Sequence, residues 1–123
     1  MTPRSDGGPV PAAKPLVFIG SSRDALREFP RLARQEAGDQ PYQVQCGLDP
    51  KDWKPMAGVG PGAREVRVRD ETGAFRVIYV ANLPEAVYVL HAFQKKTRAT
   101  ADRGVRLAAS RLREVLDRRG RGP

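Results

Sequence analysis

The stretch that decides the fold is Gly62–Thr97, GAREVRVRDETGAFRVIYVANLPEAVYVLHAFQKKT. Arg64-Glu65-Val66-Arg67-Val68-Arg69 alternates polar and apolar at each step. Asp70-Glu71-Thr72-Gly73 supplies turn chemistry, and Phe75-Arg76-Val77-Ile78-Tyr79-Val80 runs back. Asn82-Leu83-Pro84-Glu85 turns again, and Val87-Tyr88-Val89-Leu90-His91-Ala92-Phe93 follows. Two-residue alternation with β-branched and aromatic enrichment, bounded by turn residues, reads as strands. Links this short force antiparallel neighbours, because a parallel return needs a crossover. The sheet is also charged: Arg64, Arg67, Arg69, Arg76, Lys95 and Lys96 lie on or beside it, with Tyr79 and His91 among them.

Working outward, the order predicted is strand, helix, helix, strand, strand, strand, helix. Leu16-Val17-Phe18-Ile19, stopped by Gly20, reads as a strand buried on both faces or nearly so. Ser21 or Ser22 then caps a helix that begins near Arg23, with Leu26 and Phe29 on its apolar side. Pro30 suits the first position of a second helix. That helix is expected to kink or break at Pro41, which removes a donor and crowds the Ala37 carbonyl. Cys46–Gly62 reads as a long irregular loop pinned by Trp53 and Met56. A final helix is predicted from about Ala101 to Arg118, its stripe formed by Val105, Ala108, Ala109, Leu112, Val115 and Leu116. The fold class expected is α+β, a small twisted and mainly antiparallel sheet flanked by helices. The domain spans residues 14–118. Residues 1–13, rich in Pro and Gly, read as a disordered leader, and 119–123 as a basic tail.

The chain has 123 residues, which fits one domain. Its 22 Lys and Arg against 14 Asp and Glu give +8, with pI near 10.4, a balance that suits a polyanionic partner or simply a solvated surface. One cysteine excludes an internal disulfide and fits a reducing cytoplasm. One His and one Cys make a zinc site improbable, and neither metal nor cofactor is expected. No apolar run approaches the roughly 18 residues that span a membrane.

Residues two apart on a strand share a face. Glu65, Arg67 and Arg69 therefore point one way; Val87, Val89, His91, Phe93 and Lys95 are expected to share a face on the last strand. Cations crowded on neighbouring strands repel unless an anion lies between them. Glu65 can neutralise one, and a phosphate can satisfy several. Such a cluster also suits metal-free RNA cleavage, in which a 2′-hydroxyl attacks the adjacent phosphorus. That reaction needs a base, cations for the phosphorane and an acid for the leaving 5′-oxygen. Fork-shaped arginines suit phosphate oxygens, and His91 or a lysine could move protons. Residue types alone favour phosphate binding, or an acidic partner protein, over catalysis. His91 lies among apolar neighbours, where a lone histidine is more often a semi-buried structural group.

Four segments, DALREFP, VQCGLDPKDWKPM, GPGAREVRVRDETGAFRVIYVA and AVYVLHAFQKKT, resemble the phage-related HigB-like branch of the RelE/ParE toxin superfamily over roughly Lys14 to Leu116. The resemblance implies a compact α/β toxin of a type II toxin–antitoxin pair, silenced in a hetero-oligomer by a helix-turn-helix, HigA-like antitoxin. It implies ribosome-dependent, metal-independent cleavage of mRNA. Carried over by motif, the catalytic candidates are Arg67, Arg76, Lys95 and Lys96, with His91 behind them. Lys54, Arg64 and Arg69 are candidates for RNA or phosphate binding. A ParE-type gyrase inhibitor without nuclease activity and a non-enzymatic nucleic-acid-binding protein are the alternatives. Pro41, where the family pattern has an apolar residue, and Gly104, early in the last helix, depart from the pattern in ways that suit a weakened toxin.

Overall fold

The computed structural model describes residues 14–47 and 49–120. The leader expected over 1–13 and the last residues of the tail, 121–123, lie outside the described residues. The elements are β1 (Leu16–Phe18), α1 (Ser22–Arg27), α2 (Arg31–Gln45), β2 (Trp53–Pro55), β3 (Ala63–Asp70), β4 (Gly73–Val80), β5 (Val87–Lys95) and α3 (Arg98–Gly120). They build one five-stranded sheet in the order β1-β5-β4-β3-β2. The predicted three-strand meander is its centre. β1 runs parallel to β5, and the other pairs are antiparallel.

The sheet separates two apolar layers. On one face α1 and α2 cover Val66, Val68, Phe75, Val77, Tyr79, Val87, Val89 and Ala92 with Leu26, Phe29, Ala33, Ala37 and Val44. On the other face α3 covers Ala63, Ile78, Val80 and Leu90 with Ala108, Leu112 and Val115. The buried stripe of α3, Gly104-Ala108-Leu112-Val115, follows three- and four-residue spacing. A stripe of this kind removes its apolar area from water only if a second layer receives it, so α3 must lie on the sheet.

The β3–β4 turn shows its chemistry directly. The Asp70 carboxylate accepts from the Thr72 amide at 2.7 Å, an Asx turn. Gly73 has φ 145°, a backbone conformation that favours glycine.

Several expectations are corrected. β1 is a half-buried edge strand, not one buried on both faces. α1 begins at Ser22; Ser21 makes no side-chain cap, and the Ser22 hydroxyl donates instead to the Val89 carbonyl at 3.1 Å. α2 runs unbroken through Pro41, whose ring is fully buried on the same face as Ala37, Gln40 and Val44. Tertiary packing of that face holds the helix across the missing donor. The Cys46–Gly62 segment is not all loop: Trp53–Pro55 adds the edge strand β2 against β3. Trp53 packs on one core layer and Met56 on the other, as expected of a pinned segment. α3 extends further at both ends than predicted, so Arg119 and Gly120 belong to the helix.

The largest correction concerns β5. Ile78 pairs with His91 but the next residue, Tyr79, pairs with Val89, so Leu90 is an extra residue, a β-bulge. Val87 and Val89 therefore face α1 and α2. Tyr88 and Leu90 face α3, and beyond the bulge Phe93, with His91 stacked on it, faces α3 too. The bulge turns over the part of β5 beyond Leu90, residues 91–95. Without it, Lys95 would point away from the arginines of β3 and β4.

Candidate functional site

The cross-strand register stacks the charged positions in rows on the α3-facing side of the sheet. Lys54, Glu65, Ile78 and His91 form one row. Arg67, Arg76 and Phe93 form the next, and Arg69, Ala74 and Lys95 the last. α3 covers this face only as far as Phe93. There Gly104 lets the helix approach so closely that a Cβ would lie 2.7 Å from a ring carbon. The sequence-level reading of Gly104 as a weakness is thus replaced by a packing reason. Past Phe93 the face is open, with Arg69 and Lys95 exposed on it and Arg67 half-buried, and Lys54 is exposed at the β2 edge of the His91 row.

Arg76 lies deepest. Its Nε lies 3.3 Å from Glu65 Oε1 as an ion pair, and both side chains are under a tenth exposed. Arg67 Nε is 3.7 Å from the same oxygen. That Nε is enclosed and has no hydrogen-bond partner among the described residues. Burial lowers the Arg76 pKa below the ordinary arginine range; Arg67 and Arg69 push the same way and Glu65 opposes them. Arginine keeps its charge under such shifts. A buried ion cluster of this kind is weak support for stability, because desolvation offsets most of the attraction. Its position on an open face points instead to anion recognition.

His91 is held differently. Its ring stacks on Phe93, centroids 5.3 Å apart and planes 19° from parallel. Arg111 of α3 donates to the Leu90 carbonyl at 2.8 Å and to Ser21 Oγ at 3.0 Å, and lies 3.5 Å from His91 Nδ1. This single side chain satisfies the carbonyl of the bulge and ties it to the turn before α1. Burial, with Arg111 adding to it, lowers the His91 pKa to about 4, so the ring is neutral at pH 7. The Arg111 contact assigns Nδ1 as acceptor and puts the hydrogen on Nε2.

Of the residues singled out in the sequence, Lys54, Arg67, Arg69, Arg76, His91 and Lys95 share this face. Two do not join it. Arg64 pairs across the strands with Tyr79 on the opposite side, its guanidinium 4.1 Å over the Trp53 ring and 3.3 Å from Asp49. Lys96 follows the end of β5 and lines a separate cleft of about 420 Å³ with Glu28, Gln94, Thr100 and Arg103. The sequence reading missed Arg111. Its one signal is spacing: it stands three residues after Ala108 and four before Val115, at the edge of the buried stripe.

Among the described residues no group of His, Cys, Asp and Glu is arranged to hold a metal, and no helix is long and apolar enough to cross a membrane. No curated protein matches the chain. The free-state structure of the E. coli toxin RelE, as a double arginine-to-alanine mutant, is similar in fold, with TM-score 0.56 and 14% identity over 76% of this chain and 96% of that one. A model of the phage-derived Gp49-like protein family matches residues 24–113, from within α1 to the last turns of α3. With most of its length matched and the arginine-bearing sheet built on this topology, the chain belongs to the Gp49-like phage-derived family and has a RelE-like fold.

Proposed function

We propose that the chain is the toxin of a type II toxin–antitoxin module and that it acts as a metal-independent endoribonuclease on mRNA at the ribosome. One observation carries this reading: Arg67, Arg69, Arg76 and Lys95 converge on the uncovered part of one sheet face, three strands contributing to a single cationic floor. The family and the RelE-like fold support the toxin assignment.

In the proposed reaction the 2′-hydroxyl attacks the neighbouring phosphorus, the P–O5′ bond breaks, and a 2′,3′-cyclic phosphate and a 5′-hydroxyl result. The Nη groups of Arg76 and Arg67 hold the non-bridging oxygens as charge builds on them. Lys95, exposed at the end of β5, brings three donors to the leaving oxygen or to a second phosphate. Arg69 and Lys54 guide the flanking backbone. His91, neutral and stacked on Phe93, is a weak proton donor at pH 7 and serves as a hydrogen-bonding and stacking surface. The partners follow from the same reading: the ribosome with its mRNA, and a helix-turn-helix, HigA-like antitoxin that covers the cationic face. The compartment is the cytoplasm.

The test is primer extension on a defined mRNA in a purified translation system. Wild type and Lys95→Ala are compared, because Lys95 is exposed and contributes no side chain to either core layer. Cuts within codons that require ribosomes and weaken by about 10²-fold or more in the variant support the reading. Intact mRNA with wild type at any concentration refutes it.

A further inference from the structure

Glu65 is a buried carboxylate in the cationic face, in ion contact with both Arg67 and Arg76, and the catalytic scheme above does not use it. Its placement is specific. Arg67 and Arg76 are directly opposed cross-strand neighbours, a like-charge pair that destabilises a sheet. Glu65 stands two residues before Arg67 and on the diagonal from Arg76, within reach of both. One oxygen, Oε1, faces the Nε of each arginine, at 3.3 Å and 3.7 Å. The carboxylate is only 6% exposed, which no solvated counter-ion would be.

Engagement at Nε has a geometric consequence. A guanidinium has five N–H donors in one plane. The Glu65 carboxylate stands on the Nε edge of both guanidiniums, in ion contact with Arg76 and too far from Arg67 Nε for a hydrogen bond, and leaves the four Nη hydrogens on the outer edges. Arg76 spends one of these on the Phe75 carbonyl at a long 3.4 Å. The remainder of both forks is available to an anion above the sheet. A carboxylate placed between the Nη groups would instead compete with that anion. Glu65 thus draws both Nε edges toward one charge without standing between the Nη groups.

We infer that Glu65 is a positioning residue that aligns the Arg67 and Arg76 guanidiniums through their Nε atoms for an RNA phosphate. The inference rests on the reading of this face as the RNA site. It assigns Glu65 no proton transfer: its oxygen is buried against two cations. The net charge of the cluster is a second consequence. Glu65 leaves it cationic enough to bind phosphate and restrained enough to keep one buried and one half-buried guanidinium side by side.

The experiment compares wild type, Glu65→Gln and Glu65→Asp by two readouts. One is cleavage in the purified translation system, resolved into kcat and KM. The other is direct titration with a short RNA carrying a 2′-deoxy nucleotide at the cut site, which binds and is not cleaved. Glu65→Gln removes the negative charge and presents an amide to two donors. It is expected to bind the RNA about five-fold tighter, the worth of one charge at contact in water, while kcat falls about 10²-fold from misaligned arginines. Glu65→Asp keeps the charge but is one methylene short, so its affinity returns to that of wild type and kcat stays low. A merely structural role moves neither ratio: kcat and binding capacity fall together with the folded fraction, and KM is unchanged. That result overturns the inference, as does a Glu65→Gln enzyme within two-fold of wild type in both readouts. If wild type binds the RNA but cuts no mRNA, the nuclease reading fails. The titration then still judges Glu65: tighter binding by Gln with reversal by Asp supports it, and equal binding overturns it.

Discussion

Two glycines inside helices give opposite predictions for one substitution. Gly38 in α2 has nothing within 4 Å of an added Cβ, whereas at Gly104 in α3 the same atom would lie 2.7, 2.9 and 3.0 Å from three ring carbons of Phe93. Glycine in a helix interior costs about 1 kcal/mol relative to alanine. Gly38→Ala should therefore stabilise the protein by about 0.5–1 kcal/mol. Gly104→Ala gains the same helix preference but must displace the Phe93 ring, which is stacked against His91. Overpacking of that kind costs about 1–3 kcal/mol, so the net effect is a loss of about 0–2 kcal/mol. The preference is common to both variants, and their difference isolates the steric cost at about 1–3 kcal/mol. For a chain of this length that separates their melting temperatures by about 3–12 °C. Urea denaturation with unchanged m-values measures it. Phe93→Leu in the Gly104→Ala background should recover part of the loss, a coupling readable as a double-mutant cycle. Equal stabilisation by the two alanines would refute the close helix–strand contact and return Gly104 to being a simple weak point in α3.

Other predictions concern the same face. Arg111→Met leaves the Leu90 carbonyl of the bulge and Ser21 without their donor; it should destabilise by about 2–3 kcal/mol in thermal unfolding. His91 is the only histidine in the chain, so its ring signal can be followed alone by NMR; it should titrate near 4 in the wild type and higher in Arg111→Met, and a value near 6.5 in the wild type would contradict the buried, Arg111-bound ring. The unfolded chain takes up that proton near 6.5 and the folded one only near 4, so the stability that His91 contributes is complete above pH 6.5 and declines as pH falls toward 4. Denaturation curves at several pH values should show this decline, and His91→Gln should remove its part of it. Binding of single-stranded RNA should weaken with salt at a slope of about −2 to −3, as four phosphate contacts imply, and Lys95→Ala should reduce that slope by about 0.7.

Much of the architecture follows from local pattern. Alternation from Arg64 to Arg69 and from Phe75 to Val80, with Asp70–Gly73 between them, specifies a hairpin because each strand has a single apolar face to bury. The stripe of α3 fixes which side of that helix meets the sheet. The arginines of β3 and β4 were legible as site candidates for the same reason, since regular alternation puts Arg67, Arg69 and Arg76 on one face without further information.

What the sequence did not specify lay where local rules met tertiary packing. Pro41 reads as a helix break, yet its buried ring belongs to the apolar face of α2, and that burial outweighs one missing hydrogen bond. Gly104 reads as a defect until Phe93 is placed beneath it. The bulge at Leu90 leaves no mark in an apolar run such as VYVLHAF, because either side of the strand accepts those residues. It is decided by the pairing with β4 and held by Arg111 from α3, far along the chain. That one inserted residue turns Lys95 toward the arginines, while Arg64 and Lys96, which look equivalent in the sequence, lie elsewhere. Composition and alternation determined a basic antiparallel sheet between helices. Only the assembled fold decided which of its cations share a surface, because strand register and helix cover are set by contacts between residues distant in sequence.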